Sequence, residues 1–120
     1  MTSYKRGDVI LVEIAFSGAV GYKRRPAVVI SVEKFNAGGI KLIVAAVTSN
    51  ISPPFRPGDC LLSNWNKAGL LKPSAVRGVL ATVDKADVDR KLGVLSAQDL
   101  TIVEQNLANI LGFQVAPAAT

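Results

Sequence analysis

Short β-branched runs separated by turn and loop segments dominate this chain up to residue 95. A helical period appears only after them. Val9-Ile10-Leu11-Val12-Glu13-Ile14 is nearly continuous in apolar residues, as a strand buried on both faces would be. Ser17–Gly21 follows as a small-residue loop with two glycines, expected to be mobile. A second strand is predicted over Ala27–Val32 and a third over Ile40–Thr48. Asn36-Ala37-Gly38-Gly39 reads as the turn of a hairpin between them. Three prolines within Ser52–Gly58 remove backbone donors and make that stretch a loop. Cys60-Leu61-Leu62 forms a short strand, Asn64–Gly69 a turn, and Gly78–Asp84 another strand. Ser96 caps the final helix, with Asp99 near its positive end and Gly112 as its stop. Leu100, Val103, Leu107, Ile110 and Leu111 form one apolar stripe along it. The pattern predicts a mainly β fold with a C-terminal helix: a small, strongly bent antiparallel sheet or barrel with the helix packed on it.

A chain of 120 residues supports one domain, here 1–113, with 114–120 as a flexible tail. No apolar run approaches a membrane span, and the N-terminus is polar rather than signal-like, so the cytosol is the expected compartment. The single cysteine, Cys60, has no partner for a disulfide and reads as a small buried hydrophobe. There is no histidine. Ser-His-Asp and Cys-His catalysis, histidine metal sites and a histidine base are therefore excluded. A net charge of +5 favours a polyanionic partner.

That charge is concentrated where chemistry is expected. Tyr22-Lys23-Arg24-Arg25-Pro26 is a basic loop opening into the second strand, and the third strand ends in Thr48-Ser49-Asn50. Pro26 pushes Arg25 toward an extended backbone. A guanidinium matches phosphate oxygens, and a strand-end hydroxyl can donate to the same group. An RNA 2′-hydroxyl attacking its own phosphodiester needs no metal if positive charge and a positioned donor stabilise the phosphorane; Arg25 and Thr48 are candidates for these roles, the plainer readings being a surface arginine at a strand start and a threonine that only fits the pleat. Lys23 and Arg24 suit backbone phosphates. Trp65, flanked by Asn64 and Asn66, either stacks a base or closes the core; Tyr22 is a second stacking candidate. Arg77 precedes a strand whose end, Asp84, pairs with a loop cation. Lys85–Lys91 alternates in sign and reads as a solvated face.

These residues carry a family resemblance. Gly7-Asp8-Val9, Lys23–Ile30 with its Arg25-Pro26, Val44–Ser49, Ala81-Thr82-Val83-Asp84-Lys85 and Lys91–Ser96 occur in an order and spacing similar to the MazF/PemK toxins of type II toxin–antitoxin systems. The resemblance spans about residues 5–112. It implies an SH3-like small barrel of the MazF/PemK/CcdB type, working as a homodimer. It also implies a metal-independent, cofactor-free endoribonuclease that cuts single-stranded RNA at short sequences, leaving 2′,3′-cyclic phosphate and 5′-hydroxyl ends. An antitoxin with an acidic, extended segment would occupy the RNA groove, and DNA would be met only through that antitoxin. Arg25 and Thr48 match the family's catalytic positions. Lys23, Arg24, Ser49, Asn50, Trp65, Arg77 and Lys85 are the expected RNA contacts. One departure stands out: many relatives have arginine where this chain has Ala81, and Arg77 or Arg24 would have to replace its charge. The Ser17–Gly21 loop is also short of groups that read bases. A non-catalytic binding module on the same barrel, and a gyrase poison by analogy of fold, remain the alternatives.

Overall fold

Strand β1 (Asp8–Ile14) serves two cores at once. Val9 packs into a cluster with Val28, Ala45, Val47, Val76, Leu95, Val103 and Leu107. Ile10, Val12 and Ile14 pack on the other side with Ala27, Val29, Leu42, Val44 and Val83. This double burial is why its sequence shows almost no polar alternation. The computed structural model describes residues 3–14 and 23–114. The Ser17–Gly21 loop, Tyr22 and residues 115–120 lie outside them.

The elements that follow are β2 (Lys23–Val29), α1 (Glu33–Ala37), β3 (Lys41–Thr48), β4 (Cys60–Leu61), β5 (Ala75–Asp84), a 3-10 turn (Lys85–Asp87), β6 (Val88–Val94) and α2 (Ala97–Leu111). The strands form one six-stranded antiparallel sheet in the order β4-β5-β3-β2-β1-β6. Register shifts in β1–β6 and β3–β5 bend it. The expected mainly β architecture with a terminal helix is present. The sheet is curved and barrel-like, and no pairing among the described residues closes it between β4 and β6.

Several local expectations are corrected. Lys23–Pro26 is strand, not loop, because it pairs with β1 from Ile14↔Lys23 to Leu11↔Pro26. The β3 side is unpaired there, so a proline without an N–H fits. β2 and β3 pair antiparallel as expected, but the link between them is longer than a turn and carries the one-turn helix α1. Buried Asn36 organises it: Nδ2 donates to the carbonyls of Tyr4 (2.9 Å) and Ser31 (3.0 Å), and the Ser31 hydroxyl bonds its side-chain oxygen. β5 begins at Ala75 rather than Gly78, so Arg77 lies inside a strand. The sign-alternating stretch ending at Lys91 contributes a strand, β6, at the sheet edge. Its pairing uses backbone groups while its charges face water, so the side-chain pattern gave no strand signal. Lys91 Nζ lies 3.2 Å from the buried Asp8 carboxylate. Asp84 pairs with Lys41, its cross-strand neighbour, not with a loop cation.

Helix α2 starts and stops as predicted. The Ser96 hydroxyl accepts from the Asp99 N–H (3.1 Å), and Gly112 ends the helix at φ +76°. Val103 and Leu107 are buried, whereas Ile110 and Leu111 are exposed, so the core covers only part of the apolar stripe. Cys60 is buried against this helix. Desolvation, opposed by a hydrogen bond from Asn106 and reinforced by the Asp99 charge, pushes its thiol pKa up, so the thiol stays protonated at neutral pH. No described helix is long and apolar enough to cross a membrane.

Candidate functional site

Strands β2 and β3 pair only over Ala27–Val29 and Val44–Ala46, although both run on beyond that ladder. Carrying the register two residues further sets Arg25 opposite Thr48 across the unpaired stretch. A groove of about 540 Å³ opens there. Leu11, Pro26 and Val47 line it, with Arg24, Arg25, Thr48 and Ser49 at the divergence. Gly69–Lys72 and Ser74 form a wall, and Arg90 and Leu92 of β6 complete the far side. Among the described residues four in the lining are cationic (Arg24, Arg25, Lys72, Arg90) and none is acidic.

Arg25 is half-buried, and its Nε is shielded from water without a hydrogen-bond partner among the described residues. A shielded donor of this kind costs stability unless something accepts from it. An anion in the groove would supply that acceptor. The Thr48 hydroxyl oxygen accepts from the Asn50 N–H (3.0 Å). Its own proton is therefore left to donate elsewhere, and Asn50 serves to turn the chain and hold Thr48.

The wall is fastened backbone to backbone. A Cβ at Gly69 (φ +84°) would lie 2.1 Å from the Leu92 carbonyl oxygen, and one at Gly93 would lie 2.5 Å from the Ala68 oxygen. The Ser74 hydroxyl donates to the Lys72 carbonyl (2.8 Å), holding the end of this segment. Gly69→Ala is expected to cost ~2 kcal/mol or more, since left-handed strain alone is about 1–2 kcal/mol and the clash adds to it. Thermal denaturation checks this; an unchanged melting temperature would show that the two backbones do not meet.

Among the expected contacts, Arg24 and Ser49 join Arg25 and Thr48 in the groove. Arg24 also lies 3.8 Å from Asp89. Lys23 is exposed at the start of β2, outside the groove lining. Trp65 packs against the core, and its carbonyl accepts from the N–H groups of Ala68 and Leu70, both at 3.2 Å, so it supports the wall from behind. Arg77 sits 3.6 Å from Asp59. Lys85 donates to the Gly39 carbonyl (2.6 Å) and lines a separate hollow with Tyr4, Glu33 and Asn36. Ala81 stands opposite Val44 and packs beside the second core, outside the groove lining. Lys72 and Arg90 were not singled out from sequence. One follows an apolar pair in a turn, and the other sits in a charged run that reads as plain solvation.

A family model described as "PemK-like, MazF-like toxin of type II toxin-antitoxin system" matches residues 5–111. Endoribonuclease MazF6 of Mycobacterium tuberculosis is 31% identical over 97 residues, covering 79% of this chain and 84% of its own. Two solved structures share the fold. A mycobacterial endoribonuclease in complex with its cognate antitoxin has a TM-score of 0.74 at 17% identity, covering 95% of this chain and 100% of that one. A MazE–MazF complex from Deinococcus radiodurans also has a TM-score of 0.74, at 19% identity and with 94% and 100% covered.

Proposed function

The chain belongs to the PemK-like, MazF-like toxin family of type II toxin–antitoxin systems, and from its groove we propose that it is a cytosolic endoribonuclease toxin cutting single-stranded RNA without a metal. The observation that carries this is that Arg25 and Thr48, at the diverging ends of β2 and β3, line one groove, which among the described residues has four cations and no carboxylate. The 2′-hydroxyl oxygen attacks the adjacent phosphorus. The O2′–P bond forms, the P–O5′ bond breaks, and the products are a 2′,3′-cyclic phosphate and a 5′-hydroxyl. Charge builds on the non-bridging oxygens in between. Arg25 stabilises that charge with a rigid fork of donors and protonates the departing O5′. Already protonated, its guanidinium cannot take the 2′-hydroxyl proton, which leaves to water, and water returns to Arg25 the proton it gives to O5′. Thr48 donates to one non-bridging oxygen.

The same groove fits an extended acidic segment of a cognate antitoxin, whose carboxylates would compete with RNA phosphates for the four cations. The active form is a homodimer, by likeness to the family. Ala81 lies outside the lining, and the groove's charge comes from Arg24, Arg25, Lys72 and Arg90.

The test is incubation of the purified protein with a long mixed-sequence RNA in EDTA, followed by mapping of the ends. Discrete cuts bearing cyclic phosphate and 5′-hydroxyl are expected. RNA bound but left intact would replace this reading with that of a non-catalytic binding module.

A further inference from the structure

Resting on the ribonuclease reading, we infer that Lys72 and Arg90 hold backbone phosphates on either side of the one to be cut, so that the RNA crosses the sheet from β3 to β6. Arg90 pairs in register with Leu11, and Leu11 with Pro26. Directly opposed residues share a face of the sheet. Arg90, Leu11 and Pro26 therefore form one row across β6, β1 and β2, and all three line the groove. Lys72 belongs to the other end. It lies just before Ala75, which stands opposite Thr48, and the Ser74 hydroxyl fixes its carbonyl. Strands β2 and β1 lie between β3 and β6 in the sheet. Arg25 lies between the two cations.

The charges of these two residues are also uncommitted. Among the described residues neither Lys72 nor Arg90 is in an ion pair, whereas Arg24, Lys41, Arg77 and Lys91 are paired with Asp89, Asp84, Asp59 and Asp8. Both are exposed, so their contribution is a salt-sensitive contact to a phosphate and not packing.

A fluorescein-labelled 2′-O-methyl RNA of mixed sequence, which lacks the attacking hydroxyl, separates binding from cleavage. Its dissociation constant is measured by anisotropy across a salt series. Lys72→Ala and Arg90→Ala should each make the log–log slope shallower by about 0.7, the value for one phosphate on a single strand. Lys72→Arg and Arg90→Lys should restore it. On cleavable RNA the Ala variants should raise KM and hold kcat within about twofold, the signature of uniform binding. If the wild type binds the probe and both Ala variants keep its slope, the inference fails while the ribonuclease reading stands. If the wild type does not bind at all, both fail.

Discussion

Arg25→Ala is expected to keep the sheet folded and to lose RNA cleavage by about a hundredfold to a thousandfold, the usual cost of one preorganised donor to a developing oxyanion. Folding should survive because the side chain is only half-buried and its Nε bonds nothing among the described residues. β2 would keep its ladder to β1, since the backbone makes it. Arg25→Lys should recover part of the activity at most. It keeps the charge but loses the planar fork that meets two phosphate oxygens together. Thr48→Val should also lower kcat, without the change in salt slope that a lost cation brings. Single-turnover cleavage read beside a melting curve decides the matter. Cleavage within about threefold of wild type in Arg25→Ala would move the chemistry off this groove.

Asp99→Ala is expected to destabilise the protein by ~2–5 kcal/mol. Asp99 is fully buried, and its carboxylate accepts from the backbone N–H groups of Ser63 (3.0 Å) and Asn64 (2.8 Å). Each orphaned buried donor costs about 1–3 kcal/mol. The Asn64 side chain also donates to the Ser96 hydroxyl (2.9 Å), the same oxygen that caps α2. One carboxylate thus ties the start of α2 to the segment that leads into the groove wall. The melting temperature should fall by roughly 10 °C or more for a domain of this size, and cleavage should weaken with it. Asp99→Asn keeps an acceptor and should cost less. A drop of less than about 2 °C in Asp99→Ala would mean that water replaces both bonds without loss.

The helix and the sheet were legible for different reasons. Ser96, the spaced apolar residues and Gly112 are local signals, and they marked α2 correctly at both ends. Asp99 was legible only as a charge near the helix start. Its tie to Ser63 and Asn64 joins residues more than thirty positions apart, which no window of sequence contains. β6 was missed because an edge strand is held by backbone bonds and leaves its side chains free to look like a solvated run. The early start of β2 was missed because proline argues against a ladder, while the open β3 side at Pro26 removes the objection.

By itself the sequence determined the mainly β class, the terminal helix, the absence of histidine chemistry and the identity of Arg25 and Thr48 as candidates. These follow from composition, from periodicity and from motifs a few residues long. Only the tertiary structure decided which other cations share their groove. Arg24 was foreseen there, but Lys72 and Arg90 were not, and Arg77 and Lys85 proved to be engaged elsewhere. The physical reason is that a phosphate-binding surface is built by register and strand order. Arg90 and Pro26 lie sixty-four positions apart in the chain, yet stand in one row because β6, β1 and β2 are neighbours in the sheet.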